Sequence, residues 1–343
     1  IIGIILGILN CFWIVYSEAI WFTVHITVIS LFFNSVFVIF FVILFNFVLR
    51  KYTPKYSLSN SEILIIYVMI NMASGMAAHG LMQLLLPIMG HAFWYATAEN
   101  DWADLFHRYL PDWLTVQDKD ALKDHYTGYS TFYTKDHLRA WIVPIMFWTA
   151  FIFVFTFLMI CINSIVRKQW VEKEKLAYPI IQLPYEMIDQ SSSFFKNKIM
   201  WIGFGIAAAL DIMNGMHSLF PDVPYIHLKL TNIGRYFVSK PWNAVGWLPV
   251  SFYPFVIGLA FFIPLDLSFS MWFFYLFWKA QRIVWSVAGF SNTGGSFSGY
   301  KSIIEQSSGA YLALFFVAMW ASRKHLWLVF KKIFGVKDAI DDS

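Results

Sequence analysis

The chain of 343 residues is 59% hydrophobic and 20% aromatic, and only 13% of it is charged, about half the roughly 25% found in soluble domains. With a mean hydropathy of +0.58, it is excluded from the class of water-soluble globular domains. The net charge of +4 comes from basic clusters between apolar runs and gives no reason to invoke nucleic acid.

A helix needs roughly 20 apolar residues to cross the hydrocarbon layer. Eight runs predict spans at 1–22, 28–49, 62–89, 140–166, 198–219, 247–264, 267–289 and 304–322. They lack the short alternation of barrel strands, so the expected fold class is all-α: a polytopic transmembrane helical bundle forming a single domain over 1–343. Ile1 to Leu9 are already apolar without a basic flank. The chain is therefore expected to start inside its first helix, with the native protein extending upstream and past Ser343. Cys11 and Cys161 fall within spans and read as packed thiols.

Polar residues inside the spans carry the functional signal, because each is costly in hydrocarbon unless it faces a partner or a cavity. The first span holds Asn10, Ser17 and Glu18; Glu18, near the outer end, either snorkels to the interface or lies on an ion path. The second places Thr27, Ser30 and Asn34 on one face. In the third, Asn71, Gly75, His79 and Gln83 recur at every fourth position, and the small neighbours Ser74 and Ala78 admit another helix. His79 is either a hydrogen-bonded packing residue or a group that titrates near neutral pH and binds metal.

Loop 90–139 is acidic and reads as an extracytoplasmic cap of short amphipathic helices, at Glu99 to Tyr109, Gln117 to Tyr126 and from Lys135 onward. Trp94, Tyr95, Trp102, Trp113 and Tyr126 suit the headgroup level. The cap either rests on the interface or covers a substrate path. After the fourth span, Leu176 to Met187 is too short to cross. Pro179 and Pro184 interrupt it, so it is not expected to form one continuous helix. It reads as a re-entrant or broken segment carrying Gln182, or as an interfacial elbow.

In the fifth span Asp211, Asn214 and Ser218 share a face, and Asp211, close to mid-membrane, should face a partner, a proton or water. Loop 220–246 is a second extracytoplasmic loop, punctuated by Pro221, Pro224 and Pro241. At the joint of the sixth and seventh spans, Asp266 follows Pro264 and either caps the next helix or faces an ion. Lys279 needs a partner, for which Asp211 and Glu305 are the candidates. The turn 292–299 lacks the Gly-Lys-Ser/Thr ending of a phosphate loop and reads as a flexible connector.

Lysines and arginines set the orientation. Arg50, Lys51 and Lys55, then Arg167 to Lys175, then Lys196 and Lys198, and finally Arg323 to Lys332 all fall on one side if both termini are cytoplasmic. Lys229, Arg235 and Lys240, on the outer side in this scheme, dissent. No His-Glu-x-x-His, Cys-x-x-Cys or Gly-x-Ser-x-Gly pattern is present, so no cofactor is expected. A membrane-embedded enzyme, or a structural subunit of a membrane complex, is the alternative class.

Five strings, Ile29 to Asn34, Leu138 to Pro144, Glu174 to Pro184, Lys240 to Asn243 and Pro264 to Ser270, together resemble an uncharacterised prokaryotic membrane family related to the oligopeptide transporter superfamily. The similarity runs from about Asn10 to His325. The Asn-Pro-Gly and Lys-Ile-Pro-Pro-Arg motifs of that superfamily are absent. The resemblance implies a secondary transporter of small peptides or metal chelates, coupled to a proton or cation, in the prokaryotic inner membrane and possible as a homo-oligomer. Only the segment from Tyr178 and Pro179 to Pro184 is carried over from it. From the residues themselves, the expected path is lined by Asn34, Asn71, His79, Gln182 and Asp211. Asp211 or Glu18 would take the coupling proton and His79 would assist.

Overall fold

The computed structural model describes residues 1–21, 25–29, 31–128, 130–176, 178–189, 193–289 and 301–333, the side chains of 301–305 excepted. Ser30, the turn 292–299 and the Glu305 side chain lie outside the described residues. The chain forms two compact units, Ile1–Asn163 with Leu183–Ser192, and Ser164–Gln182 with Ser193–Ser343.

In the first unit, α1 (Ile2–Val15) runs directly into a π-helical turn, Tyr16–Ile20. The buried positions of this first span, Gly3, Gly7, Asn10, Ile14 and Glu18, make one helical stripe, with glycines where the neighbouring helix comes close. A β-carbon on Gly7 would lie 3.7 Å from that of Ala73. After α2 (Phe33–Tyr52), α3 (Asn60–Ala77) opens on a capping box: the Glu62 carboxylate accepts from the Ser59 amide at 2.8 Å while the Ser59 side chain accepts from the Glu62 amide, satisfying two orphan donors of the helix start. The chain then turns through 78–81 and restarts as α4 (Met82–Trp94). The expected continuous row Asn71–Gly75–His79–Gln83 is therefore cut: His79 sits in the turn and Gln83 in the first turn of α4. Thr27 also leaves its expected face, because α2 begins only at Phe33.

The segment between α4 and α7 (Lys135–Lys168) carries α5 (Trp102–Leu105) and α6 (Lys119–Thr127). α6 is packed against α4 and α7 by a core of Met89, Phe93, Val116, Ala121, Leu122 and Trp141. The aromatic residues work partly as internal mortar: Trp94 stacks on Tyr126 at 5.4 Å, the Tyr126 hydroxyl donates to Pro87 O at 2.6 Å and Trp148 Nε1 donates to Leu114 O at 3.0 Å. Partial burial beside Trp141 holds His125 below the usual imidazole range, and burial, then the neighbouring Tyr95, pushes the Tyr126 phenol up.

α8 (Pro179–Ile188) spans ten residues in one piece, which corrects the expected break at Pro184. A helix this short loses only the bond that the proline nitrogen would have made one turn back. The irregular backbone lies before it, where Lys175 and Tyr178 take positive φ of 49° and 42°. At about 15 Å, α8 does not reach across a bilayer.

In the second unit, α9 (Lys198–Leu219) is followed by a loop region whose two-residue strands, β1 (Thr231–Asn232) and β2 (Pro249–Val250), pair antiparallel. The sixth expected span, 247–264, is not a crossing helix. It holds β2 and α10 (Pro254–Ala260), seven residues long, because Pro249, Pro254 and Pro264 punctuate the apolar run. α11 (Leu265–Val287) is long enough at 23 residues, but Lys279, Gln281 and Arg282 lower its apolar character. α12 covers Lys301–Ile333.

Among the described residues, six helical segments are long and apolar enough to cross a membrane: Ile2–Ile20, Phe33–Tyr52, Asn60–Trp94, Lys135–Lys173, Lys198–Leu219 and Gln306–Lys332. The apolar side chains of α7, α9 and α12 are largely exposed, as lipid-facing surfaces are. The chain is an all-α integral membrane protein. Single cysteines placed at Lys55 and at Asp118, on either side of the Asn60–Trp94 crossing, are expected to label with an impermeant maleimide from opposite faces; labelling of both from one face would contradict this crossing.

Candidate functional site

Two helix irregularities meet in the first unit. The π-helical turn of the first span carries Glu18, and the interruption of the third lies opposite it. π turns leave part of the regular ladder open and recur at functional sites. Glu18 is 1% exposed, and neutral groups solvate its carboxylate. Oε1 accepts from the Thr27 amide at 2.8 Å and lies 2.9 Å from Thr27 Oγ1, which is 3.0 Å from Oε2. Oε2 also accepts from Gln83 Nε2 at 2.9 Å.

The break supplies these partners. Gln83 Nε2 also donates to Ala77 O at 3.1 Å, closing a carbonyl that α3 leaves open at its end, while the His79 amide donates to Thr27 Oγ1 at 3.4 Å. Thr27 Oγ1 is placed to donate to a carboxylate or to accept from a carboxylic acid, so the same cage holds either form. Beside it, the His25 and His79 rings approach to 4.6 Å between centroids, and both residues are exposed. Among the described residues no cationic side chain lies within ion-pair distance of Glu18; the His137–Asp124 contact at 3.1 Å is elsewhere. No group of three His, Cys, Asp or Glu side chains able to hold a metal occurs among the described residues.

Two turns earlier on α1, a second polar knot ties α1, α2 and α3. Asn10 Nδ2 donates to Ser74 Oγ at 2.8 Å, and Asn34 Nδ2 donates to Asn10 Oδ1 at 2.8 Å and to Ser74 Oγ at 2.9 Å. Ser74 itself donates to Ile70 O. Asn34 is 0% exposed; where a central polar path was expected, it is a buried strut between α1, α2 and α3. The Oδ1 atoms of Asn34 and Asn71 are buried without a partner.

Residues 1–343 match a family described as "Family of unknown function (DUF6785)". The chain belongs to this family. Neither the curated proteins nor the solved structures gave a match.

The remaining expected site residues lie in the second unit. Asp211 sits on an exposed part of α9, against the expectation that it faces the interior. Asn214 pins the following loop to α9, donating to Ile226 O and accepting from the Ile226 amide, both at 3.0 Å. Asp266 is exposed in the first turn of α11; Pro264 stands at the N-cap and no side chain caps it, so the carboxylate acts there only through the helix dipole. Gln182, on α8, is half-buried. Lys279 is paired neither with Asp211 nor with another described carboxylate: it donates to Val245 O and Trp247 O. His25 was not singled out from the sequence, and its only signal is its place close after Glu18.

Ser74→Ala would leave the amides of Asn10 and Asn34 short of an acceptor in a sealed site. It is expected to cost about 1–3 kcal/mol, seen as a lower Tm of the detergent-solubilised protein. An unchanged Tm would contradict the strut role.

Proposed function

We propose that this chain is a secondary-active transporter, coupled to a proton or cation, with Glu18 as its coupling group. The observation that carries the reading is a fully buried carboxylate with no cationic partner among the described residues, caged by neutral donors where two crossing segments depart from α-helix. Discontinuous helices at ion sites are a recurrent device of secondary transporters, and an ionisable group inside the membrane is costly unless it works. Asp211, exposed on α9, yields the coupling role to Glu18. His79, whose amide reaches Thr27, keeps its assisting role.

The resemblance to the oligopeptide transporter superfamily supports small peptides or metal chelates as substrates, and a prokaryotic inner membrane as the location. Six crossings, an even number, keep both ends on one side, and the basic clusters around Arg50, Arg167 and Lys331 favour the cytoplasm. On this reading the segment with α5 and α6 is extracytoplasmic, and α10 and α11 together begin and end on the outer side.

Purified protein in liposomes, given peptides and metal chelates under an imposed pH or cation gradient, is expected to accumulate one of these classes. Glu18→Gln keeps the size and hydrogen bonding of the side chain but not its titration. It should elute as a folded protein and lose gradient-driven accumulation about tenfold or more, the scale of one coupling charge-assisted bond. Gradient dependence that persists in the variant would refute the coupling role.

A further inference from the structure

In the second unit, residues 245–247 lie across two cations of α11. Lys279 is 4% exposed. Its Nζ donates to Val245 O at 3.2 Å and Trp247 O at 2.5 Å and lies 4.2 Å from the Trp278 ring centroid. One helical turn on, the Arg282 guanidinium presses against Gly246, where a β-carbon would come within 2.9 Å of Nη2 and 3.3 Å of Nη1. Gly246 also has a φ of +62°, a backbone conformation that calls for glycine whatever the guanidinium does.

Arg282 is half-buried, its Nε is sealed from solvent without a hydrogen-bond partner, and its guanidinium lies 5.6 Å from the Trp278 ring. Lys279 therefore has carbonyl dipoles and the Trp278 and Tyr275 ring faces for company, and Arg282 has the Trp278 ring face and the backbone at Gly246. Neither meets a carboxylate among the described residues. A buried lysine beside a half-buried arginine, with no counter-charge among the described residues, is an unfavourable arrangement. An arginine fork with free donors is the group best matched to a planar or tetrahedral oxyanion.

We propose that Lys279 and Arg282, with the loop at Gly246, form a binding site for an oxyanion, a carboxylate or a phosphate. Its donor would be Arg282, with Lys279 supplying field. The ligand is either a free solute or the headgroup of an anionic lipid. The site is independent of Glu18, so its failure leaves the coupling proposal standing.

The test uses the full chain in two arms. In neutral detergent at constant ionic strength, Tm is followed against inorganic phosphate and acetate, with chloride as control. In nanodiscs of phosphatidylcholine with or without phosphatidylglycerol, retained lipid is counted by native mass spectrometry. A saturable response in the first arm identifies a solute, and selective retention in the second identifies a lipid. In either case Arg282→Gln should weaken binding about tenfold or more, the loss of one charge-assisted hydrogen bond, with Arg282→Lys weakened less. No specific response of the unaltered chain in either arm would overturn the proposal, as would Arg282→Gln binding as the unaltered chain does. If Arg282→Gln does not fold, Arg282→Lys decides in its place: binding undiminished in that variant would overturn it.

Discussion

A carboxylate sealed in an apolar bundle must be solvated by the protein itself, and Glu18 is solvated by groups that a continuous third helix would not release. In an unbroken run from Asn60 to Trp94, the Ala77 carbonyl and the His79 amide would be spent on the helical ladder. The turn at 78–81 frees both. Ala77 O then takes Gln83 Nε2, and the His79 amide turns to Thr27. Gln83 and Thr27 carry that geometry on to the carboxylate, and the π turn at Tyr16–Ile20 delivers Glu18 to them. Removing any one of these parts would leave a buried polar atom without a partner, which is costlier than the hydrogen bond it forfeits.

The knot of Asn10, Asn34 and Ser74 serves the same geometry from below. It shares the buried stripe of α1 with Glu18 and fixes that helix against α3 near the glycine contacts. Neutral amides and a hydroxyl do this without burying another charge, and the position of α1 along α3 is set by directional bonds that apolar packing alone would not provide.

Much of the architecture was legible in the sequence because length and hydropathy decide it. Among the described residues six of the eight expected crossings have a counterpart; between Trp94 and Lys135 the expected helix Gln117 to Tyr126 is met by α6, whereas Glu99 to Tyr109 holds only the four-residue α5 and a short turn at His107–Tyr109. What failed was punctuation. The run 247–264 is apolar enough to suggest a span, yet its prolines divide it, and the turn at 78–81 hides in a row, Asn71 to Gln83, that keeps helical spacing on both sides of the break. Glu18 and Gln83 stand 65 residues apart, and nothing local announces that they meet. The position of Asp211 in mid-run says how deep it lies and nothing about which way it faces, so depth alone overstated it. Lys279 was expected to meet Asp211 or Glu305; the partners described are backbone carbonyls, which every residue offers and no sequence pattern marks.

The account depends most on Glu18 changing its protonation or ion occupancy in place. Infrared difference spectra of the purified chain, taken between acid and neutral pH and compared with Glu18→Gln, report that change directly. The expected result is a protonated-carboxyl band that appears on acidification and is missing from the variant. Identical difference spectra for the two proteins would contradict a titrating Glu18 and leave its cage a purely structural one.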